Sequence, residues 1–117
     1  MKIDHITYFG GDIEETKEFY GNILGLEVQK NDGKLWVKVG DEYIIHLSSS
    51  PEAKTGGKCH FAITEDSVLD RAKRIKERGV EVFDLVDGQK ITLERIDPEI
   101  KQFFVRDPAG NLIEFIC

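Results

Sequence analysis

The chain has 117 residues, with 16 basic against 22 acidic side chains and a formal net charge of −6. This length suits one domain, and the 40% hydrophobic and 32% charged residues exclude collagen-like, disordered and membrane-embedded classes. No apolar run approaches the roughly 20 residues needed to cross a bilayer, and the acidic balance argues against a nucleic-acid-binding face. We therefore expect a small globular domain that binds neither membranes nor nucleic acid.

The expected location of the protein is the cytoplasm. The two cysteines, Cys59 and Cys117, are too few for a disulfide framework. Asp4 and His5 interrupt what would otherwise be a basic-then-apolar leader after Met1. A reducing compartment without a secretion signal fits both observations.

The sequence contains two copies of one plan. A β-prone run around His5 has its counterpart around His60, 55 positions later. The Gly-Leu-Glu-Val unit that begins at Gly25 and the Gly-Val-Glu-Val unit that begins at Gly79 lie 54 positions apart, each after a helical stretch. Such a repeat predicts two similar modules within the chain.

Each module places a helix between its opening strand and its repeat unit. Asp12 with Glu15 has the spacing of a capping box, and Ser67 with Asp70 is a weaker version of the same device. Positions at helical spacing follow at Ile13, Thr16, Tyr20, Ile23 and Leu24 in the first module, and at Val68, Ala72 and Ile75 in the second. The glycine that opens each repeat unit is the expected C-terminal cap.

Strand signals follow each helix. In the first half they cover Leu35–Val39 and Tyr43–Ser48, and in the second half Lys101–Arg106 and Leu112–Ile116, with a turn over Asp107–Asn111. Each half therefore has the order βαβββ. We predict an α+β fold with two tandem βαβββ modules, about 1–50 and 57–117, in a single domain over 1–117.

Two segments stand outside the repeat. The Ser-, Gly- and Pro-containing stretch 49–57 is expected to be a flexible linker. The second half has about a dozen extra residues between Asp87 and Glu99, which form either a lengthened hairpin or a lid over a pocket. Lys90, Arg95 and Lys101 in or beside it either belong to a solvated loop or contact an anionic substrate carrier.

Three histidines and one glutamate occupy matching places in the two modules. His5 and His60 lie in the opening strands, while His46 in the last strand of the first module corresponds to Glu114 in the second. The apolar neighbours of Glu114 make its burial costly unless a cation, a hydrogen-bond partner or water compensates. We therefore predict a divalent metal bound by His5, His46, His60 and Glu114; the alternative is that these side chains lie on a solvated sheet face.

The donor set limits the choice of metal. Nitrogen-rich ligation suits Zn²⁺, Ni²⁺, Fe²⁺ or Co²⁺, whereas Mg²⁺ and Ca²⁺ prefer oxygen ligands. Trp36, on a strand of the first module, is either a core residue or part of a pocket wall.

The chain resembles the vicinal oxygen chelate superfamily, which includes glyoxalase I, bleomycin-resistance proteins and extradiol dioxygenases. The resemblance is carried by Asp4-His5-Ile6, by EFYGNILGL at 18–26 and by FVRDPAGNLIE at 104–114. It implies paired βαβββ modules that form a cupped, partly open mixed sheet with the metal in the cup. It also implies a homodimer, with the metal site built either within one chain or across the dimer.

The resemblance further implies roles for the candidate site residues. His5, His60 and Glu114 match the family's two-histidine, one-glutamate set, and His46 takes a fourth slot. Glyoxalase I-like enzymes have glutamate in that slot and epimerase-like enzymes have glutamine. The histidine found there leaves Glu114 as the only carboxylate of the set that can transfer a proton.

The function that the resemblance implies is that of a metal-dependent lyase or isomerase. It would act on a small substrate with vicinal oxygens through a metal-stabilised enediolate, with Glu114 as the catalytic residue. One alternative is an extradiol-type dioxygenase with Fe²⁺ or Mn²⁺. Others are a non-catalytic antibiotic-binding protein and a thiol transferase acting on fosfomycin.

Overall fold

The computed structural model describes residues 1–49, 57 and 59–117. In the first half the elements are β1 (Ile6–Gly10), α1 (Ile13–Lys17) continuing into a π-helix (Glu18–Ile23), β2 (Val28–Asn31), β3 (Lys34–Val39) and β4 (Glu42–Ser49). In the second half they are β5 (His60–Thr64), α2 (Leu69–Glu77), β6 (Phe83–Val86), β7 (Gln89–Thr92), β8 (Gln102–Arg106) and β9 (Leu112–Ile116). Most of the predicted linker, residues 50–56, lies outside the described residues.

The described strands form two mixed sheets with the same plan. The first has the strand order β1-β4-β3-β2 and the second β5-β9-β8-β6-β7. In each sheet the opening strand pairs in parallel with the closing strand, and the remaining pairs are antiparallel. The α+β class and the two modules of strands and a helix are therefore as the sequence predicts.

The second module differs from the first by one strand. β7 pairs with β6 at the outer edge of the sheet, through a turn in which Asp87 has φ 52° and Gly88 has φ 78°. Such positive φ values at both central residues are typical of a two-residue hairpin. The extra segment thus begins as a hairpin, and the module has the order βαββββ instead of βαβββ.

The ends of the helices follow from local chemistry. The Asp12 carboxylate accepts hydrogen bonds from the backbone N–H groups of Glu14 and Glu15, at 2.8 and 3.1 Å, and so caps α1. At the start of α2 the Ser67 hydroxyl accepts a hydrogen bond of 3.4 Å from the backbone N–H of Leu69, in keeping with the weaker capping device predicted there. The residue directly before the helix is Val68, whose own side chain makes no capping bond. Val68 is fully buried, so packing stabilises this helix start in addition to the long hydrogen bond to Ser67.

The opening strand of the first module begins later than predicted. β1 starts at Ile6, so His5 immediately precedes the strand instead of lying inside it. The preceding residues are exposed, and Met1 and Ile3 have no packing that would hold them in a strand. His60, in contrast, is the first residue of β5.

Alternation along the strands separates two faces in each module, and in the second module Phe83, Phe104 and Leu112 form a buried cluster on the face that also carries Glu114. In the first module the buried side chains include Leu35, Val37, Ile45 and Leu47, with Tyr20 and Leu24 from the helical segment. In the second they include Phe103, Val105, Ile113 and Phe115, with Ala72 and Ile75 from α2. The intervening strand residues, which include His46 and Glu114, therefore point to the face opposite this core.

Contacts divide the described residues into two units. The first comprises 1–49 together with Asp107–Asn111, and the second comprises 57, 59–106 and Leu112–Cys117. The turn between β8 and β9 thus packs with the first unit although its flanking strands belong to the second. Among the described residues, no helix is long and apolar enough to cross a membrane.

Candidate metal centre

Within the second unit, His60 and Glu114 lie side by side on adjacent parallel strands. The backbone register pairs His60 with Leu112 and Ala62 with Glu114. The Nε2 atom of His60 is 3.1 Å from Oε1 of Glu114. The Glu114 side chain is only 14% exposed, and this contact supplies the polar partner that a carboxylate among apolar neighbours requires.

This spacing fits a shared metal ion. Metal bonds to imidazole nitrogen and carboxylate oxygen are about 2.1 Å long, so two neighbouring ligand atoms are separated by about 3.0 Å at a right angle and about 3.4 Å at the tetrahedral angle. The 3.1 Å between Nε2 and Oε1 falls in this range. The pair therefore has the chemistry and the separation of two ligands on one edge of a coordination polyhedron.

Within the first unit, three rings form a stack that contains the other two histidines. The ring centroids of His5 and His46 are 4.0 Å apart with an interplanar angle of 16°. Trp36 lies 4.5 Å from the other side of His46 at 6°. The backbone register places Trp36 directly opposite His46. His46 is thus held between two flat rings.

Hydrogen bonds fix which ring nitrogens are available to a metal. Nδ1 of His5 is 2.8 Å from the Asp4 carboxylate, which only accepts, so Nδ1 carries the proton and Nε2 keeps its lone pair. Nε2 of His46 is 3.0 Å from the Tyr43 carbonyl, so it donates and Nδ1 is the nitrogen with the lone pair. A histidine oriented by a carboxylate, as His5 is, is typical of metal ligands.

The stack does not allow both histidines to bind one ion as they stand. The lone pair of an imidazole nitrogen lies in the plane of its ring. Because the rings of His5 and His46 are nearly parallel and 4.0 Å apart, their planes do not meet near either nitrogen. One of the two rings would have to turn before both could reach the same metal.

The stack also affects the protonation of His46. Partial burial lowers the pKa of His46 below its usual 6.5, and repulsion from His5 acts in the same direction. The hydrogen bond to the Tyr43 carbonyl and the charge of Asp4 oppose this shift. The neutral, ligand-competent ring is therefore favoured at neutral pH.

The sequence analysis named Trp36 but missed its counterpart Phe104, an aromatic residue in the matching position beside the closing strand of the second module. Phe104 is opposite Glu114 in the register of β8 and β9, just as Trp36 is opposite His46. The Phe104 ring meets the His60 ring edge to face, with centroids 5.6 Å apart. A search for repeats that aligned β3 with β8 would have found this pair.

The structure brings the four predicted ligands together two at a time. His60 meets Glu114 in one unit, and His5 meets His46 in the other. Within neither unit do three His, Cys, Asp or Glu side chains of the described residues come together as a ready metal set. The prediction that all four bind one ion stays a prediction.

Comparison with known proteins identifies the family. The model of the Glyoxalase/Bleomycin resistance protein/Dioxygenase superfamily matches residues 2–115. The chain belongs to this superfamily, as its motifs indicate.

Relatives and solved structures agree with this assignment. The glyoxalase domain-containing protein RDO1 of Mycosarcoma maydis is 29% identical over 119 residues, which cover 96% of this chain and 65% of RDO1. A structure assigned to the glyoxalase family from Bacillus anthracis has a TM-score of 0.73 at 27% identity, covering 98% of this chain and 93% of that one. The chain therefore spans about two thirds of that first relative and nearly all of the solved domain.

A further solved structure shares the fold at lower identity. The fosfomycin resistance protein FosX of Listeria monocytogenes has a TM-score of 0.73 at 21% identity, covering 99% of this chain and 92% of that one. A mutant of FosX has been solved in complex with Mn(II) and a dihydroxypropylphosphonic acid, at 20% identity.

Proposed function

We propose that the protein is a divalent-metal-dependent lyase or isomerase that acts on a small substrate with two neighbouring oxygens. The observation that supports this most is the 3.1 Å separation of His60 Nε2 and Glu114 Oε1, which are two ligand atoms at the spacing that one metal ion requires. Zn²⁺, Ni²⁺, Fe²⁺, Co²⁺ and Mn²⁺ all suit a mixed imidazole and carboxylate set.

His5 and His46 are the proposed further ligands. The support for His5 is its Asp4 partner, which leaves Nε2 free to bind, in the arrangement common for metal-binding histidines. His46 has weaker support, because its ring is parallel to that of His5 and must turn if both are to bind the same ion. We therefore expect His5 to contribute more to metal affinity than His46.

When bound, the metal polarises the two neighbouring oxygens of the substrate and so acidifies the adjacent C–H bond. Glu114 is the proposed base. Its Oε1 atom faces His60, while Oε2 has no hydrogen bond to another described residue and is the atom that takes the proton from one carbon and returns it to the next. The apolar strand residues around it limit access of water to this carboxylate.

The test is proton transfer by the metal-loaded protein on a hemithioacetal of a 2-oxoaldehyde. The Glu114→Gln variant keeps the shape of the side chain but cannot take the proton, so turnover should fall by at least a hundredfold. Glu99→Gln, at an exposed position between β7 and β8, is the matched control and should retain full turnover. Undiminished turnover by the Glu114 variant would remove this residue from the mechanism.

A homodimer is also proposed. β1 is an edge strand, and Ile6 and Phe9 on it are 37% and 55% exposed. A second copy that covers this edge would bury these two apolar side chains. Sedimentation of the metal-loaded protein tests this, and a monomer at all concentrations would exclude it.

A further inference from the structure

The side chain of Trp36 has a buried donor without a partner. Its indole Nε1 is shielded from solvent and makes no hydrogen bond with any residue that the structure describes. An indole N–H can only donate. A buried donor that remains unsatisfied destabilises the folded state, so its presence calls for an acceptor other than the residues that the structure describes.

The position of this donor associates it with the candidate site. Trp36 lies opposite His46 in the register of β3 and β4, on the face turned away from the core. Its ring stacks on the His46 ring at 4.5 Å, and His5 stacks on the far side of His46. The donor therefore belongs to the same ring cluster as two of the proposed ligands.

We infer that the indole N–H of Trp36 donates a hydrogen bond to an oxygen of the small molecule that binds at this site. The inference rests on the proposed function, because it takes the metal-chelating substrate as the source of that oxygen. The ligand class is a small chelator that presents an oxygen acceptor to the ring cluster, such as a carboxylate or a carbonyl compound.

The second module offers no equivalent donor. Phe104, which holds the corresponding position opposite Glu114, has a ring without a hydrogen-bonding atom. The donor at this aromatic position is therefore a feature of the first module.

The chain contains a single tryptophan, so its indole N–H gives one isolated NMR signal. The experiment adds oxalate, which chelates through two oxygens and keeps two more as acceptors, to the ¹⁵N-labelled protein loaded with diamagnetic Zn²⁺. A hydrogen bond from Trp36 should move the indole proton signal downfield and slow its exchange with water. A signal that neither moves nor gains protection, while calorimetry shows oxalate binding, would overturn the inference and leave the proposed function intact.

Variants measure the strength of the bond. Trp36→Phe, and replacement of the single tryptophan by 3-benzothienylalanine, both remove the N–H, and the second keeps the two-ring shape. Oxalate affinity by calorimetry should fall about tenfold in each, the loss expected for one hydrogen bond, while Zn²⁺ affinity stays unchanged. Tyr8→Phe, on the core-facing side of β1, is the matched control and should not alter oxalate affinity.

The remaining outcomes distinguish the Trp36 hydrogen bond from the proposed metal-dependent function. Equal oxalate affinity in the wild-type and benzothienylalanine proteins would overturn the inference alone. Absence of any oxalate binding to the Zn²⁺-loaded wild-type protein would overturn the inference and the proposed function together. Loss of thermal stability in the ligand-free benzothienylalanine protein would show that the N–H already has a partner and would also overturn the inference.

Discussion

The Tyr20 hydroxyl donates a hydrogen bond of 2.7 Å to Oδ2 of Asp107, and both side chains are buried, at 0% and 5% exposure. Asp107 also accepts from the backbone N–H groups of Ala109 and Asn111 and from the Asn111 amide. The Asn111 amide in turn donates to the Phe9 carbonyl at 2.8 Å. This network explains why the turn between β8 and β9 packs with the first unit.

Removing the Tyr20 hydroxyl should destabilise the protein. In Tyr20→Phe the buried Asp107 carboxylate loses one of its donors, and a hydrogen bond to a charged group contributes about 2 kcal/mol to stability. Urea unfolding should show this loss, while Tyr8→Phe should lower the free energy of unfolding by less. A Tyr20→Phe variant as stable as the wild type would contradict the role given to this network.

The same network predicts sensitivity to alkali. Burial, together with the neighbouring Asp107 carboxylate, raises the pKa of Tyr20 well above its usual 10.0. Because the unfolded chain ionises this tyrosine first, its contribution to stability is complete below about pH 10 and declines as the pH rises above that value. The stability difference between wild type and Tyr20→Phe should therefore shrink above pH 10; a constant difference up to pH 11 would argue against it.

The His46 ring should remain neutral to an unusually low pH in the metal-free protein. Its pKa lies below 6.5, chiefly because of burial. Because the unfolded chain binds a proton at His46 more readily than the folded chain, this residue does not change the free energy of unfolding above about pH 6.5. As the pH falls from 6.5 towards the folded pKa, protonation favours the unfolded chain and the protein becomes less stable.

The single tryptophan reports on this titration, since Trp36 stacks on His46 and a protonated imidazole quenches indole fluorescence. The fluorescence midpoint of the metal-free protein should lie below 6.5, and His46→Gln should abolish the transition. A midpoint above 6.5 would show that the neighbouring Asp4 outweighs burial.

At position 79 glycine should be required for stability only because of the backbone conformation, and not because space is lacking for a side chain. It has φ 83° after α2, and an added Cβ would meet nothing within 4 Å. Gly79→Ala should therefore cost about 1 kcal/mol through the left-handed conformation. Gly11→Ala, where an added Cβ also meets nothing and φ lies outside the left-handed region, is the matched control and should be close to neutral in thermal unfolding.

The sequence predicts the elements whose signals are local. Asp12 caps α1, and Gly25 adopts the left-handed φ of 77° expected of a residue that follows a helix. The repeat also holds in the strand register. Thr7 pairs with His46 and Ala62 pairs with Glu114, and in each module the opening histidine lies two residues before that paired position. The helix cap and the glycine conformation depend on residues only a few positions away in the chain, so the sequence alone is enough to predict them.

Features that depend on tertiary packing cannot be predicted from the sequence in this way. The burial of Val68 at the start of α2 depends on packing, and β7 adds a strand that repeat matching does not predict. The candidate ligands are identifiable from their matching positions, but the stacking of His46 between His5 and Trp36 depends on side-chain orientations that no spacing fixes.

Metal content of the purified, metal-reconstituted protein tests the central claim most directly. We predict that each chain binds one equivalent of divalent metal. The metal affinity should fall most in His60→Ala and Glu114→Ala, less in His5→Ala and least in His46→Ala. Affinity should also decrease as the pH falls, since the ligating nitrogens must be unprotonated. A protein that binds no divalent metal, or that binds it equally well after both His60 and Glu114 are replaced, would contradict the account.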